Sequence, residues 1–219
     1  VDDIRDILDH LNIKKAHIVG LSMGGFAALH LGLTYPERAF SIVVAGAGYG
    51  AEKQYEDYFK KVSLEVARQF ETLGSEAFSK IYSMAASRIS FLLKNPKGWE
   101  AFKKGLSEFS AVGAANTMQG VQAERPSLYD MENQLSEMKV QTLIVVGDED
   151  DHCLQPGLFL KRTISASGLL VLPKTGHTLN LEEPDHFNRF VSDFFSMVEH
   201  GRWLDRDPRS TPSEIMKTE

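Results

Sequence analysis

Ala16-His17-Ile18-Val19-Gly20-Leu21-Ser22-Met23-Gly24-Gly25-Phe26 decides the fold of this chain. Ala16 to Val19 is a short apolar run that reads as a buried strand. From Gly25 to about Tyr35 the residues Phe26, Ala27, Ala28, Leu29, Leu31 and Leu33 are apolar almost all round, as in a helix buried on most sides. Between strand and helix stands Gly-x-Ser-x-Gly. In that setting the serine sits on a sharp, strained turn with its hydroxyl raised above the sheet. Gly20 and Gly24 are expected to let strand and helix approach closely. The N–H of Met23, at the helix N-terminus, is placed to stabilise an oxyanion. The pattern alone can arise by chance; the strand before it and the helix after it give it weight.

Upstream, Ile4, Ile7, Leu8 and Leu11 share one helical face, with Asp2 and Asp3 in the first turn and Asn12 as the stop. Downstream, Ser41 to Ala45 is a second strand. Residues 50–138 contain no convincing strand. They read as helical pieces separated by Gly74, Pro96, Gly113 and Pro126. Strands return at Thr142 to Val146 and Leu169 to Leu172, with a short helix over Leu158 to Ile164 between them. Phe187, Phe190, Val191, Phe194, Phe195 and Val198 form an amphipathic helix, with Pro184 near its start and Gly201 past its end. Residues 201–219 are expected to be a flexible tail. The alternation predicts an α/β fold: a parallel sheet with helices on both faces. Residues 1–49 and 139–200 would be its core, and 50–138 a helical insertion over the strand ends, where ligands bind.

A serine hydroxyl needs a base, and the base a carboxylate to hold it. The chain has seven histidines. His10 and His30 lie on helices, His17 opens a strand, and His186 and His200 belong to the last helix. His152 is too close to the candidate acids to be their separate partner. His177, reached from the fourth strand through Pro173-Lys174-Thr175-Gly176, is left as the base. The acid is sought in Asp148-Glu149-Asp150-Asp151, where most carboxylates must be solvated. Asp148, Asp150, Asp151 and His152 could hold a metal. The run lacks the glycine and closing Glu of a calcium loop, so no metal is expected.

These stretches together resemble the α/β-hydrolase superfamily, in its cap-bearing esterase, lactonase and C–C hydrolase branch. The matching residues are Gly20 to Gly25, Val146-Gly147-Asp148-Glu149-Asp150, Thr175-Gly176-His177 with Glu182-Glu183-Pro184, and Tyr35-Pro36-Glu37-Arg38. The resemblance covers residues 1 to about 200. It implies a Ser22, Asp150, His177 triad, Asp150 being selected by the family's Gly-x-x-Asp. The family often has Pro four residues beyond that acid; here Leu154 stands there, which keeps Asp148 and Asp151 as alternatives. It implies that residues 50–138 are a cap, and that the elbow strand is the fifth of eight. The strands before it, and the His-Gly loop that supplies the second oxyanion donor, have no counterpart before Ser22. The strand at Ala16 would then be an exposed apolar edge, and the chain is expected to be the C-terminal part of a longer one. Loss of one oxyanion donor lowers turnover about 100- to 1000-fold.

Composition sets the outer bounds. Apolar residues make up 42% and charged residues 25%, as in ordinary globular proteins, and the net charge of −6 does not favour nucleic acid. No apolar run is long enough to span a membrane, and the first residues are not a signal peptide. The single cysteine, Cys153, fits a reducing, cytoplasmic setting. The expected function is a serine hydrolase that cleaves a carboxylic ester or related carbonyl compound through an acyl-enzyme, without cofactor. Its substrate would be small and partly apolar, roofed by residues such as Phe78, Tyr82, Met84, Phe102, Phe109 and Met118. A serine rather than an aspartate at the elbow argues against dehalogenase and epoxide hydrolase chemistry. The resemblance also admits a lyase, a cofactor-free peroxidase, an acyltransferase or a ligand receptor.

Overall fold

The computed structural model describes residues 1–210. Four parallel strands form one sheet in the order β1 (Ala16–Leu21), β2 (Ala39–Ala45), β3 (Thr142–Gly147) and β4 (Ser167–Leu172). Register shifts once, between Ala16 and His17, and is regular beyond, with Val43 beside Val19 and Leu143, and Val145 beside Leu170. The fold is the α/β arrangement expected from the alternation of elements.

Helices α1 (Asp2–His10) and α2 (Met23–Thr34) flank β1, and α3 (Lys53–Tyr82), α4 (Ala86–Lys94), α5 (Pro96–Ser107), α6 (Ala111–Thr117) and α7 (Glu132–Glu137) follow β2. After β3 come α8 (Asp151–Thr163), then β4, a single turn α9 (Leu179–Glu182) and α10 (Pro184–Glu199). Side chains alternate across a strand. Ile42, Val44, Ile144 and Val146 therefore meet Phe26, Leu29 and Leu160 on one face. Val43, Ala45, Leu143 and Val145 meet Phe187, Val191 and Phe194 on the other. Burial on both faces explains why β2 and β3 are continuous apolar runs. Strand β1 is the edge, and its Val19 is 47% exposed.

Several local expectations are corrected. On α1 only Leu8 is buried; Ile7 and Leu11 are exposed, and nothing among the described residues covers them. Helix α8 starts seven residues before the predicted Leu158, within the acidic run. Carboxylates there suit a helix N-terminus, so the run that reads as loop is a helix start. Gly113 lies inside α6, its N–H donating to the Ser110 side chain, and separates nothing. Gly74 does break α3, with φ of 74°. On α10, Phe190 faces solvent. The tail expected from residue 201 is anchored at first: Trp203 packs edge-on against Phe194 and donates to the Ala166 carbonyl. Residues 211–219 of that expected tail lie outside the described residues.

Candidate active site

Ser22 follows the last residue of β1 and precedes α2. Its backbone has φ 56° and ψ −116°, a strained conformation for a residue with a side chain. What holds it there is close packing. The Ser22 N–H donates to the Ala45 carbonyl at 2.8 Å. A Cβ on Gly20 would lie 1.9 Å from the Gly24 carbonyl oxygen, and one on Gly25 would lie 2.8 Å from that of Ala45. Gly24, by contrast, has open space where its Cβ would be. The close approach therefore depends on Gly20 and Gly25, and the expectation for Gly24 is corrected. Met23 is the first residue of α2. Its N–H is among those that a helix leaves without an internal acceptor.

The ends of β3 and β4 bring two more residues to Ser22. His177 Nε2 is 2.8 Å from Ser22 Oγ, and His177 Nδ1 is 2.8 Å from Asp150 Oδ2. Asp150 and His177 are buried, while Ser22 is half-buried and opens to a cavity. An ionised carboxylate only accepts, so Nδ1 carries the proton and Nε2 is free to accept from the serine hydroxyl. The other acidic candidates stand elsewhere. Asp148 is exposed, and its Oδ1 accepts from the Thr175 N–H at 3.1 Å, bracing the histidine loop. Asp151 is the exposed first residue of α8.

The loop that carries His177 is fixed from both sides. The Glu149 N–H donates to the Thr175 carbonyl, and a Cβ on Gly147 would lie 2.1 Å from that same oxygen. Glu182 holds the far side. Its carboxylate accepts from the N–H groups of Gly176 (2.8 Å) and Thr178 (3.1 Å). It also accepts from the hydroxyls of Thr178 (2.9 Å) and Ser90 (2.6 Å). Sequence reasoning quoted Glu182 within a motif but gave it no role. The missed signal is an acid five residues after the histidine, on a turn whose Leu179 must be buried. Such a carboxylate turns inward and needs donors.

Cys153 Sγ lies 4.0 Å from His177 Nδ1. Burial, then the charge of Asp150, pushes this thiol well above its ordinary pKa, so it stays protonated and inert. Burial and then Asp150 likewise raise the hydroxyl of Tyr49, whose ring meets that of His177 edge-on at 4.8 Å. Asp150, Cys153 and His177 could offer three ligand atoms within 4.8 Å of one another. Two of those atoms already bond each other, and the third is a neutral thiol. Among the described residues, Asp148, Asp151 and His152 join no such group. His17 bonds Ser41 and stacks on Phe195, a packing role.

A cavity of about 600 Å³ opens over Ser22 and His177. Phe78, Tyr82, Met84 and Met118 line it, as expected of the helical region. Phe109 does not; it borders a neighbouring cavity with Met23 and Leu106. Phe102 packs against Phe91 instead. No helix among the described residues is long and apolar enough to cross a membrane.

Comparison with known proteins agrees with this fold. The family described as alpha/beta hydrolase fold matches residues 1–184. A 2-hydroxy-6-oxononadienedioate/2-hydroxy-6-oxononatrienedioate hydrolase of Pseudomonas putida is 29% identical over 206 residues, covering 88% of this chain and 67% of that one. A putative 2-succinyl-6-hydroxy-2,4-cyclohexadiene-1-carboxylate synthase of Bacillus subtilis is 26% identical, covering 90% of this chain and 72% of its own length. Among solved structures, MenH from S. aureus superposes with a TM-score of 0.80 at 21% identity, covering 90% of this chain and 73% of that one. The chain thus spans roughly two thirds to three quarters of each.

Proposed function

The chain belongs to the α/β-hydrolase fold family, and we propose that it is a serine hydrolase cleaving a carboxylic ester or related carbonyl compound through an acyl-enzyme on Ser22. One observation carries this reading: the chain of two 2.8 Å hydrogen bonds from Ser22 Oγ through the His177 ring to Asp150, at the floor of a cavity. Ser22 Oγ attacks the carbonyl carbon while His177 Nε2 takes its proton. Asp150 orients the ring and stabilises the imidazolium. The Met23 N–H faces the developing oxyanion. Collapse of the tetrahedral adduct expels the leaving group, which takes the proton from Nε2. Water, activated by the same nitrogen, then releases the acid and restores Ser22. Residues 50–138 act as a cap that walls the cavity. The substrate is a small, partly apolar molecule, and the buried free thiol of Cys153 supports a cytoplasmic setting.

The test is turnover of a p-nitrophenyl acyl ester together with labelling by a fluorophosphonate. Ser22→Ala is expected to abolish labelling and to lower kcat at least about 10⁴-fold. Unchanged turnover in that variant overturns the assignment. A second reading is favoured by one observation, that the B. subtilis relative is named a synthase. Here the three residues would catalyse an elimination, His177 moving the proton without an acyl-enzyme. Isotopically labelled water separates the two. Hydrolysis leaves one labelled oxygen in the acid product, and elimination leaves none.

A further inference from the structure

The cavity over Ser22 contains two guanidinium groups that the reaction as drawn does not use, Arg88 and Arg125. Arg88 opens toward it from α4. Among the described residues its buried Nε has no acceptor, and the one hydrogen bond of its side chain is a long one, Nη1 to the Ser87 carbonyl at 3.4 Å. Two aromatic rings flank the guanidinium: Cζ lies 5.7 Å from the Tyr82 ring centre and 5.5 Å from that of Phe102. Arg125 is held from behind. Its Cζ lies 3.7 Å from the Phe26 ring centre and 4.7 Å from that of Phe59. Its Nη atoms donate to the Tyr49 carbonyl and to Gln122 Oε1. Burial pushes its pKa down to about 10, which still leaves it charged near neutral pH. Among the described residues, no carboxylate comes within ion-pair distance of either group.

Both side chains are half-buried, and a cation drawn partly out of water without an ionic partner forfeits hydration without return. Asp150, buried behind His177, is engaged with it. We propose that Arg88 and Arg125 form an anion subsite, and that the substrate carries a carboxylate in addition to its reacting carbonyl. The donor geometry favours this class of anion. Nε and one Nη of a guanidinium form the fork that a carboxylate accepts side by side, and on Arg88 the Nε half of that fork is unoccupied. Arg125 adds a second positive charge, two of its five N–H donors being already engaged by the Tyr49 carbonyl and Gln122. The inference rests on the reading of Ser22 as the reacting group only for the carbonyl. The anion subsite itself is a binding claim.

Two arms separate these claims. In the first, the full chain is assayed with matched p-nitrophenyl esters, a neutral butyrate and an anionic glutarate half-ester. The anionic ester is expected to have the higher kcat/KM. Arg88→Gln is expected to reduce the anionic-to-neutral ratio about 10- to 100-fold, the range for a charged hydrogen bond. Arg88→Lys, which keeps the charge and loses the fork, should restore part of it. Equal losses on both esters, or no preference in the parent chain, would overturn the subsite. In the second arm, glutarate is titrated into the Ser22→Ala variant and read by the shift in Tm. Saturable stabilisation that Arg88→Gln removes supports the subsite even if Ser22 proves not to be a nucleophile. Fluorophosphonate labelling of Ser22 without glutarate binding supports the nucleophile and overturns the subsite.

Discussion

In the loops at the strand ends, the polar groups around His177 are almost all paired; in helices α3 and α4 and the turn between them they are not. Glu182 alone accepts four hydrogen bonds, and Asp148, Glu149 and Thr175 lace the acid loop to the histidine loop. On the cavity wall, Ser63 Oγ and Arg88 Nε are buried without partners among the described residues, and so are Ser75 Oγ and Ser83 Oγ in the same helical region, away from the cavity lining. On the side of the loops there are two exceptions among the described residues, Asn180 Oδ1 in the turn after His177 and Asp150 Oδ1, which sits beside Cys153 and Tyr49. The difference separates two tasks. A chain of proton transfers tolerates little displacement, so its supports are over-determined. A wall that receives a ligand keeps polar groups unpaired until the ligand arrives.

The first way to break this comparison is at the elbow itself, where the largest effect is expected. A methyl group on Gly20 would meet the Gly24 carbonyl at 1.9 Å, a backbone atom that cannot step aside. Gly20→Ala should therefore destabilise the fold by about 3 kcal/mol or more. Gly24→Ala adds the same methyl group into open space, on a helix that gains from alanine. It should stay within about 1 kcal/mol of the parent. Urea midpoints for the two variants check the pair. Equal losses would mean that the turn is held by something other than this close approach.

Glu182→Gln comes next. The substitution keeps the shape and puts an amide NH₂ among four donors, so at least one of them loses its acceptor. A loss of about 1–3 kcal/mol in stability is expected. With it, His177 should drift from Ser22 and kcat should fall about 10- to 100-fold. The rate of fluorophosphonate labelling distinguishes positioning from mere loss of fold. Labelling of the fraction that remains folded should slow in step with kcat. A slower turnover with unchanged labelling would place the role of Glu182 elsewhere.

These residues also mark where the sequence could be read and where it could not. The sheet was legible because both of its faces are buried, which leaves unbroken apolar runs at 42–45 and 142–146. The elbow was legible because strand, serine and helix are contiguous. His177 followed by elimination among seven histidines. The acid was not settled by the residues: Asp148, Asp150 and Asp151 differ only in which way a one-residue step turns the side chain. The three-dimensional answer depends on the Asp148–Thr175 bond, a contact between residues 27 apart. Glu182 was hidden for the same reason, since its partners come from the histidine loop and, through Ser90, from α4. Phe102 and Phe109 are expected over the cavity because they lie in the helical insertion, yet neither lines it. Spacing identifies a buried face but not what that face meets.

The smallest effect sharpens the comparison on its other side. Ser83 is fully buried in the turn after α3, and its hydroxyl has no partner. Its carbonyl accepts from Trp99 Nε1 at 2.9 Å, a bond that a change of side chain leaves in place. A buried hydroxyl without a partner is a net loss, and removing it also removes its desolvation. Ser83→Ala should therefore be neutral or up to about 1 kcal/mol more stable. The same exchange in the loops, at Ser90, would strip a donor from Glu182 and be destabilising. If Ser83→Ala instead lowers the urea midpoint as Ser90→Ala does, the hydroxyl has a partner such as a bound water. The contrast between catalytic frame and ligand wall would then rest on the cavity-lining pair, Ser63 and Arg88.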